Sequence, residues 1–189
     1  MLVPATNYET AVEAAAQAAN STQVGAPEDE GVRIGPISNK IQYEKVQRLI
    51  QIGIDEGARL VAGGLGRPDG LSEGYFVKPT VFADVTNDMT IAREEIFGPV
   101  LSILKYESED EAIEIANDTE YGLAGYVQSS NEEHAKQVAR RIRAGQISIN
   151  GGSRGPAAPF GGFKTSGNGR EHGLSGLHEC LETKAIIGN

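Results

Sequence analysis

The chain has 189 residues, 39% of them hydrophobic, and this size and composition indicate one folded domain with a sizeable core. Its 17 Lys and Arg residues against 26 Asp and Glu residues give a net charge of −9, which repels nucleic acid and anionic membranes. We therefore expect no nucleic-acid and no membrane partner. The opening segment MLVPATNYET does not resemble a secretory signal, and the single cysteine allows no internal disulfide, so we expect a cytoplasmic protein.

The N-terminal half alternates helical and extended patterns. A helix rich in alanine follows Asn7, and a second amphipathic helix is predicted to be capped by Ser38 and to end at Gly57. The segment RLVAGG is typical of a short strand. The stretch YFVKPTVFADV is also extended, but Pro79 interrupts it, which favours an edge position or a bend over a central strand.

The C-terminal half begins with a regular alternation of predicted strands and helices. VLSILKY reads as one apolar strand, and a helix with a capping box at Ser108 and Glu111 follows it. GLAGYVQS is a second strand, a helix stopped by Gly145 comes next, and QISIN is a third strand. This order predicts an α/β fold with parallel strands and right-handed crossover helices.

A long loop, GGSRGPAAPFGGFKTSGNG, follows the third strand, and such loops at the carboxyl ends of parallel strands often build sites. A helical segment, REHGLSGLHECLE, and a β-prone end, TKAIIGN, complete the chain. The dinucleotide fingerprint G-x-G-x-x-G and the P-loop are both absent from the sequence.

Histidine and cysteine residues give little sign of a site. The three histidines and Cys180 have no recognised metal-ligand spacing, so we expect no metal, and His134 fits a solvated helix face. Cys180 is a candidate nucleophile, but it lies between Leu177 and Leu181 without an activating cation, which favours a buried, inert thiol.

The segment AREEIFGPV carries two adjacent carboxylates, Glu94 and Glu95, just before an aromatic ring, Phe97. Three interpretations are open. The pair could act as a general acid and base, although neighbouring side chains tend to point apart. It could be a solvated acidic turn beside Arg93. Alternatively, a carboxylate could accept hydrogen bonds from sugar hydroxyls while the ring packs on a flat heterocycle.

Three motifs in order, PTVFADVTNDMTIAREEIFGPVLSILKY, EAIEIANDTEYGLAGYV and INGG with PFGGFKTSGNGREHG, carry a resemblance. Together they resemble the C-terminal part of the NAD(P)-dependent aldehyde dehydrogenase family over essentially the whole chain. The resemblance implies a three-layer α/β fold with a parallel sheet and crossover helices. It implies a partial catalytic domain over residues 1–180 and an oligomerisation strand over residues 181–189, which would pair with a neighbouring subunit.

The resemblance assigns candidate cofactor residues for NAD or NADP. Glu95 matches the glutamate that binds the hydroxyls of the nicotinamide ribose, and Phe97 matches the ring beside the nicotinamide. Gln42 and Lys45 match positions that reach the adenosine ribose, although exposed polar residues on a helix would look the same. The choice between NAD and NADP does not follow from these residues.

The resemblance also assigns residues to the catalytic centre. Phe160 matches a wall of the aldehyde pocket, and Asn150 matches an asparagine close to the active centre. Glu171 matches an acid that helps to order water there.

The family oxidises an aldehyde to a carboxylate through a cysteine thiolate, with hydride transfer to NAD(P)+. The resemblance places that cysteine, the base glutamate and the nucleotide-binding domain upstream of the segment matching MLVP, so we expect the chain alone to be inactive. Cys180 does not match the nucleophile's motif. An alternative is a non-catalytic assembly module that pairs with an N-terminal half, with a full-length relative or with itself.

Overall fold

The computed structural model describes residues 1–188. In chain order the elements are β1 (Leu2–Pro4), α1 (Tyr8–Ser21), α2 (Lys40–Asp55), β2 (Arg59–Ala62), β3 (Thr80–Ala83), α3 (Thr90–Arg93), β4 (Val100–Ser102), β5 (Leu104–Tyr106), α4 (Glu109–Asn117), β6 (Ala124–Val127), α5 (Glu132–Arg141), β7 (Gln146–Ile149) and α6 (Gly173–Glu179). Short 3-10 turns occupy Ala5–Asn7 and Lys164–Ser166. The chain divides into two compact units, Met1–Ala112 and the residues from Ile113 onward, so the division falls inside α4.

The first unit contains a three-stranded sheet with β3 in the centre, antiparallel to β2 and parallel to β4. All four residues of β3 are buried. The edge position predicted from Pro79 is therefore wrong. The strand begins at Thr80, directly after the proline, so the missing N–H of Pro79 lies outside the ladder and costs the central strand nothing.

The predicted single strand VLSILKY is two strands, because the chain changes partner at Ile103. β4 pairs with β3, whereas β5 pairs in parallel with β1. Ile103 between them is fully buried, and its N–H donates to the carbonyl oxygen of Phe82 at 2.8 Å. An apolar run shows burial, but it does not show a change of partner inside the run.

Residues of β3 face α1 and α2 alternately. The first unit therefore has three layers, with the sheet between the two helices. Val81 and Ala83 belong to one core cluster with α1, whose buried members are Val3, Tyr8, Val12, Ala62, Val81, Ala83 and Ile103. Phe82 faces α2, where a Cβ on Gly53 would lie 3.2 Å from the Phe82 ring. The three-layer α/β arrangement implied by the resemblance is confirmed.

Helix caps follow the predicted residue types with small shifts. Asn39, not Ser38, caps α2, because the Asn39 Oδ1 accepts a hydrogen bond from the Gln42 N–H at 2.9 Å. Gly57 ends that helix region in a left-handed conformation, as predicted.

In the predicted capping box, the Ser108 Oγ accepts from the Glu111 N–H, while the Glu111 carboxylate accepts from the N–H of Glu107, one residue before the expected one.

The second unit contains the predicted strand–helix–strand unit. β6 and β7 pair in parallel from Ala124↔Gln146 to Val127↔Ile149, with α5 between them in sequence. α5 buries Ala135 completely and ends at Arg141, earlier than the predicted stop at Gly145.

The C-terminal segment leaves apolar side chains exposed. Cys180 is exposed, so the expectation of a buried thiol is wrong. Residues 182–188 form no strand with any residue the structure describes, and Ile186 and Ile187 are 91% and 93% exposed. Asn189, the last residue of the expected oligomerisation strand, lies outside the described residues. The strand therefore stays a prediction.

Candidate functional site

Glu95 and Phe97 lie in an irregular loop, residues 94–99, between α3 and β4. Ile96 between them is buried, which anchors the middle of the loop. Phe97 has φ +56°, a left-handed backbone that costs a non-glycine residue on the order of 1 kcal/mol or more. The residue is 71% exposed. The fold therefore holds an aromatic ring in solvent in a conformation that is unfavourable by itself.

The 94–99 loop is held by two side chains from the start of α2. Gln42 Nε2 donates to the carbonyl oxygens of Ile96 and Phe97, at 2.9 and 3.1 Å. Lys45 Nζ donates to the carbonyl oxygen of Glu95 at 2.6 Å. Positions 42 and 45 are three residues apart on a helix, so their side chains lie on one face. The predicted cofactor residues Gln42, Lys45, Glu95 and Phe97 are thus brought together.

Gly98 allows the 94–99 loop to lie directly on α2. A Cβ at Gly98 would come within 2.8 Å of the Val46 Cγ2, and Val46 is fully buried. A side chain at this position would push the loop away from the donors on α2. The glycine of EEIFGP is therefore a packing requirement.

The two adjacent carboxylates have different surroundings. A Glu94 carboxylate oxygen is 3.8 Å from an Arg48 nitrogen, and both side chains are about half exposed. Within residues 1–188 the Glu95 carboxylate has neither an ion pair nor a hydrogen bond. This separation does not favour an acid–base pair that shares a proton. It leaves the Glu95 carboxylate oxygens available as hydrogen-bond acceptors.

Asn150 extends the β6–β7 ladder beyond the end of both strands. Its Oδ1 accepts from the Ser129 N–H and its Nδ2 donates to the Ser129 carbonyl oxygen, both at 2.9 Å. Its own N–H donates to the carbonyl oxygen of Val127. Asn150 has φ +50°, a conformation that asparagine tolerates better than most residues. The side chain therefore fixes the turn at the start of the glycine-rich loop.

Phe160 and Glu171 are paired across that loop. Each N–H donates to the other residue's carbonyl oxygen, at 2.8 and 2.7 Å. The Arg154 guanidinium lies 5.3 Å from the centroid of the Phe160 ring. The Glu171 side chain is 78% exposed, with a carboxylate oxygen 4.0 Å from the His172 Nε2. The structure thus brings two of the three predicted catalytic-centre residues together.

Sequence reasoning missed the cations that shape this loop. Lys164 Nζ donates to the carbonyl oxygens of Asn117 and Thr119, at 2.8 and 2.9 Å. An Arg170 nitrogen donates to the carbonyl oxygen of Gly162 at 2.8 Å. No sequence pattern distinguishes a lysine that binds loop carbonyls from one that faces solvent, so no signal could have found these contacts.

Among residues 1–188, no group of three or more His, Cys, Asp or Glu side chains is arranged to hold a metal ion. In the same part of the chain no helix has the length and apolar character needed to cross a membrane.

Comparison with known proteins identifies the family. The model of the aldehyde dehydrogenase family matches residues 1–186. A 3-succinoylsemialdehyde-pyridine dehydrogenase from a Pseudomonas species is 51% identical over 188 residues, which are 100% of this chain and 39% of the relative.

Solved structures give the same result. A mutant of aldehyde dehydrogenase C from Pseudomonas syringae, complexed with NAD+ and octanal, is 52% identical with a TM-score of 0.96. The match covers 99% of this chain and 39% of that chain. An aldehyde dehydrogenase from Mycobacterium tuberculosis, complexed with NAD+, is 48% identical with a TM-score of 0.91, over 94% of this chain and 37% of that chain.

The chain spans about two fifths of the length of these relatives. The family match nevertheless runs along nearly all of its residues and includes both loops described above. The chain belongs to the aldehyde dehydrogenase family.

Proposed function

We propose that this chain forms the C-terminal, catalytic-domain part of an enzyme that oxidises an aldehyde to a carboxylate with NAD(P)+. The observation that carries the proposal is the 94–99 loop, which is fixed on α2 and leaves the Glu95 carboxylate and the Phe97 ring exposed. When bound, the nicotinamide group supplies the hydride acceptor.

The exposed groups fit the nicotinamide end of the cofactor. The Glu95 carboxylate accepts hydrogen bonds from the two vicinal hydroxyls of the nicotinamide ribose, since it has no partner within residues 1–188. The Phe97 ring offers a flat apolar face to the nicotinamide. These contacts are the same for NAD and NADP, so the proposal covers both.

In the second unit we assign Phe160 to the wall of the aldehyde pocket. Asn150 shapes the turn that leads into the pocket loop, because both ends of its amide are bound to Ser129. The exposed Glu171 carboxylate orders water near the reacting centre.

The nucleophile comes from another part of the protein in this proposal. Cys180 is the single cysteine among the 189 residues, and it does not match the nucleophile's motif. We therefore expect the chain alone to be inactive, and oxidation to require the portion of the family fold that this chain does not span.

The test is NAD+-dependent oxidation of a panel of aldehydes by the 189-residue chain, alone and mixed with a separately expressed N-terminal portion of a relative. We expect activity only in the mixture.

Replacing Glu95 by Ala should raise the KM for NAD+ about tenfold, the usual scale for losing hydrogen bonds to a charged acceptor. Glu94→Ala is the matched control, because Glu94 faces Arg48, and it should change the KM little. An unchanged KM in Glu95→Ala would contradict the ribose assignment.

A further inference from the structure

We propose that Gln42 and Lys45 are positioning residues, which set the shape of the 94–99 loop and thereby the placement of Glu95 and Phe97. This inference rests on the proposed function for its effect on catalysis. It differs from the direct contact with the adenosine ribose that the resemblance implies for the same two residues.

The loop carbonyls depend on α2 for their hydrogen bonds. Within residues 1–188, the carbonyl oxygens of Glu95, Ile96 and Phe97 accept no backbone N–H. All three instead accept from Gln42 or Lys45. Side chains from one face of α2 therefore supply the N–H donors that a neighbouring strand would supply in a sheet. Without them, three consecutive carbonyls of the loop would have no donor in the described chain.

The Gln42 amide has no N–H group left to donate to a ribose of the cofactor. A primary amide has two N–H groups, and Gln42 uses both, one on Ile96 and one on Phe97. Its remaining capacity is the Oε1 acceptor. Lys45 has three N–H donors, of which one is on the Glu95 carbonyl, so it keeps two. The positioning role is thus firmest for Gln42.

The two carbonyls that Gln42 binds lie directly before and after the Cα of Phe97, the residue with the left-handed backbone. Holding the carbonyls of Ile96 and Phe97 at once fixes the backbone of Phe97 at φ +56°. Released from the amide, the residue would relax towards a right-handed or extended backbone, and its ring would turn with it. The ring and the neighbouring carboxylate would then lose their mutual placement.

The first experiment uses the assembled enzyme with Gln42→Met, which keeps side-chain length and removes both donors. Gln51→Met is the matched control, because Gln51 lies on the same helix and donates only to Asp55. We expect Gln42→Met to raise the KM for NAD+ about tenfold, as for two lost hydrogen bonds, and to lower kcat. Inhibition by nicotinamide mononucleotide should weaken, whereas inhibition by adenosine monophosphate should not change. Equal weakening of both inhibitors would overturn the inference in favour of a direct adenosine contact.

The second experiment uses the 189-residue chain without cofactor. Backbone 15N relaxation of Phe97 and Gly98 should show an ordered loop in the parent chain and a mobile one in Gln42→Met, with the amides of α2 unchanged. Lys45→Met should loosen Glu95 and Ile96, and Lys45→Arg, which keeps a donor, should restore them. Unchanged relaxation in Gln42→Met would overturn the inference. A mobile loop in Gln42→Met, together with no aldehyde oxidation by the parent chain even when it is mixed with the N-terminal portion, would support positioning while refuting the proposed function.

Discussion

At the scale of single residues, Arg59 joins α1 to the end of β3. Its Nε donates to the Asp84 carboxylate at 2.7 Å, and a terminal nitrogen donates to both Glu9 carboxylate oxygens at 3.0 and 3.1 Å. The Tyr8 hydroxyl accepts from the Asp84 N–H at 2.6 Å. The hydrogen bond from Arg59 lowers the pKa of the Asp84 carboxyl below its usual value, with a smaller contribution from the Tyr8 hydroxyl.

This arrangement predicts a pH dependence of stability at Asp84. Because its pKa is lower in the folded chain than in the unfolded chain, the stabilisation is present above the unfolded value of about 4 and is lost as pH falls through the folded value. Asp84→Asn should therefore lower the thermal midpoint at pH 7, and the difference from the parent chain should shrink at pH 3. The effect should be modest, since both side chains are exposed by 43% or more.

The control for Asp84 is Asp69→Asn, at an exposed acid in a turn. Its thermal midpoint should follow that of the parent chain at both pH values. A constant difference between Asp84→Asn and the parent chain from pH 7 to pH 3 would contradict the assignment.

At the scale of elements, the helix caps give a matched pair of substitutions. Asn131 caps α5 with an Oδ1 that accepts from the His134 N–H at 3.0 Å, whereas Asn7 precedes α1 without any such bond. Asn131→Ala should lower the free energy of unfolding by about 1 kcal/mol, and Asn7→Ala by much less. Urea unfolding of the two variants measures both, and equal losses would show that the cap bond contributes nothing.

A second prediction concerns the glycine-rich loop beside β7. A Cβ at Gly145 would lie 1.6 Å from the Gly161 carbonyl oxygen, so the loop backbone has to move in Gly145→Ala. We expect a loss of at least about 2 kcal/mol in the free energy of unfolding. Gly155→Ala in the same loop, where a Cβ meets no atom within 4 Å, should cost little. Comparable thermal midpoints for the two variants would contradict this packing.

The elements also show which features a sequence can reveal. Period and cap residues are local, so α1, α2, α5 and the β6–β7 pair were predicted close to their observed bounds. Partner choice is not local. The central place of β3 and the switch of partner at Ile103 depend on residues 19 or more positions away, outside the short windows in which a sequence pattern is read.

The candidate site likewise has features that the sequence indicates and features that only the folded structure shows. The family resemblance at the motif EEIFGP assigned Glu95 and Phe97 to the cofactor, whereas residue types alone left three interpretations open, and the assignment stays a prediction. The left-handed backbone of Phe97 and its donor on Gln42 follow from tertiary packing and leave no trace in the motif.

At the scale of the whole molecule, the expected pairing of the C-terminal segment with another subunit gives one more prediction. Ile186 and Ile187 are almost fully exposed, and exposed β-prone apolar segments tend to pair with another chain. Ile187→Lys should lower the average mass of the 189-residue chain in sedimentation. Leu65→Lys, at an exposed leucine outside this segment, is the control. An unchanged mass in Ile187→Lys would contradict a terminal pairing strand.

The separation between Gln42 and Ile96 has a consequence for folding. The hydrogen bond joins residues 54 positions apart, so the 94–99 loop has no local route to its shape. It can form only after α2 has met the chain that follows α3, at the loop-closure cost of a long-range contact. Its opening needs the loss of three hydrogen bonds and of the packing of Ile96 and Gly98, which is still far less than unfolding of the sheet. Mild heat or denaturant should therefore abolish the proposed cofactor recognition while the strands are still paired, and refolding chains should regain it last.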